Sequence, residues 1–217
     1  KREYCILKTE DKGDILIASA DEPIVVYNYA TGYRIQFYLS HFEFNKKTLL
    51  PKYSGHYLIE EMDTLNFAVK KKWEKRRKEN YQGSLEHFVA TLTNQSSNAN
   101  GYIISNLDSA MLQILPKEDG KTILKVAQDI DVTYTKEVEP ISYRMWIRRT
   151  SKQFRGNEQV PLKTDHPQTT TISPENGLII LNSDGQILNQ ESITLHGYMG
   201  WERVSELLPF NYIKRNK

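Results

Sequence analysis

Tyr33-Arg34-Ile35-Gln36-Phe37-Tyr38-Leu39-Ser40-His41-Phe42-Glu43-Phe44 is the stretch that decides the fold. Ile35, Phe37 and Leu39 alternate with Arg34, Gln36 and Tyr38, the period of two expected of a strand with one buried face. The parity then flips, because Phe42 and Phe44 stand one position off that series. A one-residue slip inside a continuous strand is what a β-bulge produces, so a bulge is expected near Ser40-His41. Asn45-Lys46-Lys47-Thr48 reads as the following turn and Tyr57-Leu58-Ile59 as the return strand. Pro51 has no N–H to give a ladder, which restricts the stretch between them to an edge or a loop. Upstream, Ile15-Leu16-Ile17 and Ile24-Val25-Val26-Tyr27 are short apolar runs parted by Asp21-Glu22-Pro23.

Downstream the period changes. From Thr64 to Thr93 the pattern is helical, with Leu65, Val69 and Trp73 forming one apolar stripe on an otherwise charged first helix. Gly83 breaks it, and Ser84 is placed to cap a second helix that aligns Leu85, Phe88, Val89 and Leu92 on one face. Gln95 to Gly101 is a polar loop. β-structure then resumes: Leu112–Leu115 and Thr122–Val126 flank the hairpin signal Asp119-Gly120, Ile130, Val132 and Tyr134 alternate, and so do Tyr143, Met145 and Ile147. Arg149 to Gln168 is polar, with glycine and two prolines, and reads as a mobile loop. Leu178–Leu181 and Gly185–Leu188 form a hairpin around Ser183-Asp184-Gly185. A last short helix carries Trp201, Val204 and Leu208 and stops at Pro209. The expectation is an α+β fold, mainly antiparallel β-sheet with a central helix pair and a short C-terminal helix. It is read as a single domain over 1–217: a β-rich part at 1–62, the helix pair at 63–97, a second β-rich part at 101–200 and the short helix at 200–208.

Composition bounds the function. At 217 residues the chain needs neither disulfides nor metals to hold a core. The single Cys5 excludes an internal disulfide and every multi-cysteine zinc pattern. No apolar run approaches the ~18–20 residues of a membrane-spanning helix. No signal peptide stands at Lys1, so the chain is either cytoplasmic or lacks a leader and an upstream domain that precede it. Lys-Arg-Glu-Tyr ahead of Cys5 is not the small, apolar sequence of a lipoprotein cleavage site. A net charge of +2 is too weak to imply a polyanion partner overall.

Chemical motifs are sparse. The five histidines, His41, His56, His87, His166 and His196, show no i, i+4 pair and no His-Glu-x-x-His. There is no Gly-x-Ser-x-Gly elbow, phosphate loop or dinucleotide fingerprint. Glu60, Glu61 and Asp63 lie at the mouth of the first helix, where the macrodipole accounts for acids. Asp184 reads as a turn residue, not a calcium ligand. No catalytic residue, cofactor-binding residue or metal ligand is assigned, and no cofactor is expected. The one functional pull is the basic run Lys70, Lys71, Lys72, Lys75, Arg76, Arg77 and Lys78 around Trp73. Lys71, Lys75, Arg77 and Lys78 are its candidate polyanion contacts. Trp73 shares the inward stripe, however, and cannot then stack on a base, which speaks against nucleic acid. Lys72 and Arg76 flank that stripe and lay their stems along it.

The helix pair also carries a resemblance. Trp73-Glu74-Lys75-Arg76-Arg77 followed by Tyr81-Gln82-Gly83-Ser84-Leu85-Glu86-His87-Phe88 resembles the W-x-x-x-R…Y-x-G-S-x-x-H-F signature of bacterial carboxypeptidase-like regulatory domain-containing proteins. Ala20-Asp21-Glu22-Pro23-Ile24 with Gly32-Tyr33-Arg34-Ile35 and Phe42 agrees with it. So does Gly197-Tyr198-Met199-Gly200-Trp201-Glu202-Arg203-Val204 with Leu207-Leu208-Pro209. The resemblance spans roughly residues 5 to 212. It implies an exported envelope protein, periplasmic or on the outer surface, in which a small transthyretin-like β-sandwich precedes this region. It brings no catalytic residues. Gly83, Ser84 and His87 have structural roles to fill, as helix breaker, cap and first-turn hydrogen-bond partner. The expected role is therefore a non-enzymatic structural or binding module whose partner is another envelope protein or a glycan. Tyr38 and Trp146 at outward strand positions are its candidate contacts. Polyanion binding through residues 70–78, and a hydrolase built on His56, His87 or Glu60, are the alternatives.

Overall fold

The bulge lies where the parity flips. In the computed structural model, strand β4 (Tyr33–Asn45) pairs antiparallel with β5 (Leu50–Glu61), with Leu39 opposite Gly55 and His41 opposite Ser54. Ser40 is thus the extra residue. The ladder resumes with Phe42 opposite Tyr53, so Phe42 and Phe44 remain on the face of Ile35, Phe37 and Leu39. Gly55 is required at this point, because a β-carbon there would stand 2.3 Å from the Tyr38 carbonyl oxygen and 2.9 Å from the Phe37 ring. The structure describes residues 7–47, 50–94, 98–105, 112–116, 119–151, 165–183, 185–202, 206–209 and 212. Cys5, the 95–97 part of the polar loop, residues 152–164 of the expected mobile loop, Asp184 and Val204 lie outside them.

The chain divides into two compact units. The first holds residues 1–79, 144–162 and 207–209. Its sheet runs β1 (Leu7–Lys12), β2 (Ile15–Ala20), β4, β3 (Ile24–Asn28), with β5 along the other side of β4, all antiparallel. Pro51 sits opposite Phe44 in β5, whose only partner among the described strands is β4, as a proline requires. Tyr33, Ile35 and Phe37 are buried.

Helix α1 (Phe67–Tyr81) starts later than its expected stripe. Leu65 precedes it and is fully exposed, Val69 is half-buried, and Trp73 alone is buried. Asn66 determines the start: its Oδ1 accepts the backbone N–H groups of Ala68 (3.0 Å) and Val69 (3.3 Å).

The second unit holds residues 80–143, 163–206 and 210–217. Helix α2 (Leu85–Thr93) follows Gly83, whose φ of +85° suits glycine, and is capped by Ser84, whose Oγ accepts His87 N–H at 3.2 Å. Leu85, Phe88, Val89 and Leu92 are all buried, as their spacing requires. One sheet runs β12 (Ile193–Gly197), β10 (Pro167–Pro174), β9 (Ile130–Val138), β6 (Tyr102–Ile104). The other runs β11 (Leu178–Leu181), β8 (Thr122–Val126), β7 (Leu112–Pro116), the last two forming the hairpin expected around Asp119-Gly120. Both sheets and α2 share one core, with Phe88, Val89, Tyr102, Leu124, Ile130, Ile172 and Ile179 fully enclosed. Leu181 meets Ile187 in a single antiparallel bridge, so the expected 178–188 hairpin closes while its first strand pairs with β8.

Two expectations are corrected. Tyr143, Met145 and Ile147 lie on a helix, α3 (Ile141–Ser151), not a strand. Pro140 opens it, and the less exposed positions Tyr143, Trp146, Ile147 and Thr150 follow a helical period. The short helix expected at 200–208 is α4 (Tyr198–Trp201), which starts earlier, and Leu208 is not helical; residues 203–205 lie outside the described residues. The antiparallel α+β class itself holds.

Candidate functional site

Candidate chemistry collects in three side-chain groupings. The first is the basic helix. Trp73 and Arg77, one turn apart, pin α1 to the turn that follows β3. There Asn28 Oδ1 accepts Ala30 and Thr31 N–H, and Gly32, at φ +69°, closes the turn with N–H to Asn28 O at 2.8 Å. The Trp73 ring covers Gly32 and its Nε1 donates to Tyr29 O at 2.9 Å. Arg77 lies over the Tyr33 ring at 4.0 Å, donates to Thr31 O at 2.7 Å and pairs with Glu61 at 2.7 Å. Its side chain is only 12% exposed.

The candidate polyanion contacts therefore separate. Arg77 is engaged by the protein and leaves the set, while Lys71, Lys75 and Lys78 are exposed. Lys72 and Arg76 are exposed as well. The acids at the mouth of α1 also have another cause than the dipole. Glu60 pairs with Arg34 at 2.6 Å, Glu61 with Arg77, and no acid occupies the first turn of α1.

The second grouping surrounds His87 in the second unit. Gly83 N–H donates to His87 Nδ1 at 3.3 Å, which leaves that nitrogen as an acceptor and lets Tyr102 O–H donate to it at 2.8 Å. Tyr81, Tyr102 and Tyr134 ring the imidazole at centroid distances of 4.9, 5.2 and 6.1 Å. Removal from water, aided by the positive charge of Lys136, lowers the His87 pKa to about 4. Burial likewise pushes Tyr81 up to about 12 and raises Tyr102. Burial, with Glu206, Glu86 and Glu137 nearby, pushes the Glu202 carboxyl up to about 9. His87 thus occupies the hydrogen-bonding place expected of it. His56 and Glu60, its companions in the hydrolase alternative, belong to the first unit, opposite Tyr38 and Arg34 in the β4–β5 ladder.

The third grouping has no counterpart among the sequence motifs. In the second unit's four-stranded sheet, Ile130, Val132, Tyr134, Thr170 and Ile172 face the core, so the alternate residues share the opposite face. There the register aligns Asp131, Thr171 and His196 in one row across β9, β10 and β12, with Thr133 opposite Thr169 beside it. Thr171 O–H donates to Asp131 Oδ1 at 2.7 Å. These residues line a shallow groove together with Gly197, where a β-carbon would stand 2.4 Å from Thr169 O. The sequence signal is weak: β10 is a threonine run with one interior isoleucine, and the row joins positions far apart in sequence.

Tyr38 is an exposed residue of β4, as expected, whereas Trp146 belongs to α3 and is half-buried. Among the described residues no three His, Cys, Asp or Glu side chains gather in a metal-binding arrangement. No protein family, curated protein or solved structure matches the chain.

Proposed function

We propose that the chain is a non-enzymatic binding module of an exported cell-envelope protein, acting in the periplasm or at the outer surface beside an upstream β-sandwich domain. Its ligand, in this reading, is a glycan laid along the groove of β9, β10 and β12. The observation that carries the proposal is the row Asp131–Thr171–His196 with Thr133 and Thr169 alongside. Hydroxyls both donate and accept, a carboxylate accepts, and a ring nitrogen does either, which matches the mixed donors and acceptors of sugar hydroxyls. The resemblance at the helix pair supports the envelope setting. Its signature residues Trp73, Arg77, Ser84 and His87 all hold scaffold here, which suits a module whose ligand surface lies elsewhere.

The test is a glycan array probed with the purified chain, followed by calorimetry on the best binder. Thr169→Val with Thr171→Val keeps shape and strand preference while removing two hydroxyls, and an affinity loss of about tenfold or more is expected at ~0.5–1.5 kcal/mol per hydrogen bond. Retention of no glycan, with capture of an envelope protein through the same face, would replace the glycan with a protein partner. Turnover of a bound glycan would end the non-enzymatic reading. Cell fractionation of the full-length product checks the envelope setting separately.

A further inference from the structure

The outward face of α1 combines two exposed features that the glycan reading does not use. With about 100° between successive residues, Lys71, Lys75 and Lys78 stand roughly 160°, 200° and 140° around the helix from Trp73. Because Trp73 and Arg77 fasten the opposite side, the three ammonium groups are held as one stripe facing away from the first unit's sheet. Lys71 and Lys78 have no carboxylate partner among the described residues, and Lys75 reaches Glu79 only at 3.9 Å. At the N-terminal end of the stripe, Phe67 is 79% exposed and Leu65, just before the helix, is 101% exposed. On the helix Phe67 falls one turn before Lys71, on the same side.

We propose that this face docks the chain on an anionic lipid surface, Leu65 and Phe67 entering the headgroup–acyl boundary and Lys71, Lys75 and Lys78 contacting lipid phosphates. α1 has no continuous apolar face of the kind that lies in a membrane plane; the lysine stripe is instead a polybasic patch of the kind anionic headgroups attract, with Phe67 and Leu65 projecting at its end as apolar anchors. A nucleic acid would share the lysines but has no use for Leu65, which cannot stack on a base, and the one indole of the helix is turned inward. The proposal is independent of the glycan groove and shares with that reading only the envelope setting.

Flotation of the full 217-residue chain tests it, using phosphatidylcholine vesicles with and without phosphatidylglycerol, across a salt series. Binding is expected to the anionic vesicles only and to weaken as salt rises. Lys71→Gln, Lys75→Gln and Lys78→Gln together should reduce it about a hundredfold, at roughly fivefold per lysine. Leu65→Ser with Phe67→Ser should abolish the part of the binding that survives high salt. All five positions are exposed, so circular dichroism should be unchanged. Equal binding to neutral vesicles overturns the electrostatic half. A duplex DNA that binds as tightly, with Leu65→Ser and Phe67→Ser without effect on vesicles, overturns the assignment in favour of nucleic acid. Vesicle binding by a full-length product found in the cytoplasmic fraction would leave this inference standing and remove the envelope reading.

Discussion

Gly32 shows how much one position can determine. Its φ of +69° already disfavours a side chain, and a β-carbon there would lie 2.2 Å from Cδ2 of Trp73. Gly13 has nearly the same φ, +68°, but open space around it. The pair separates strain from collision. Gly13→Ala should cost only the backbone share, about 1–2 kcal/mol. Gly32→Ala should cost overpacking as well, about 2–5 kcal/mol in all, read as the shift in urea midpoint. The neighbouring Thr31 points the other way. It is 1% exposed and its hydroxyl has no hydrogen-bond partner among the described residues. Thr31→Val keeps the shape and removes the stranded hydroxyl, so it should stabilise by about 1 kcal/mol. A destabilised valine variant would mean that the hydroxyl is satisfied in solution.

At the scale of elements, the bulge in β4 makes an unusual prediction. Ser40 is the residue without an opposite number, and removing it would leave Ile35, Phe37, Leu39, Phe42 and Phe44 in unbroken alternation on the same face. Deletion of Ser40 should therefore be tolerated, with native circular dichroism and a cooperative thermal transition. Deletion of Gln36, where nothing absorbs the slip, should invert half the strand and prevent folding of the first unit. If both deletions unfold the protein, the bulge has a role beyond phase.

The bulge was legible because apolar parity is a local signal, and so was α2, whose Gly83-Ser84 start and four-residue core face all lie within ten residues. Helix α3 differs from its expected strand for an equally local reason. Tyr143 and Ile147 are four apart, a spacing common to strand and helix, and only Trp146 and Thr150 with Pro140 ahead distinguish the two. In α1, Leu65 continued the Trp73 stripe on paper but falls before the helix begins. The role of Arg77 needed Tyr33 and Glu61 brought to it by the fold. The groove needed more still: Asp131, Thr171 and His196 become neighbours only once three strands find their register.

For the whole molecule, two half-buried groups of opposite sense should shape the response to pH. His87, normally near 6.5, is lowered to about 4. Between those values the unfolded chain binds the extra proton and the folded one refuses it, so this group makes stability rise with pH over that window and fall as acid is added. Glu202 is raised from 4.5 to about 9. Here the folded chain keeps the proton that the unfolded chain has released, so stability falls as pH climbs from 4.5 toward 9. Between about 4.5 and 6.5 the His87 slope opposes that of Glu202, so the melting temperature should change less with pH there than above 6.5. Above that window His87 is neutral in both states and the Glu202 slope is no longer opposed, at most about 1 kcal/mol per pH unit because the side chain is not wholly dry; Glu86, which burial also raises, adds to it in the same direction. Glu202→Gln mimics the protonated carboxyl at every pH. It should leave the melting temperature at pH 5 nearly unchanged and raise it at pH 8, which scanning calorimetry at the two pH values would read directly. A variant that melts with the same alkaline decline as the parent would show that Glu202 is ionised in the folded state, and that a different group carries the pH dependence.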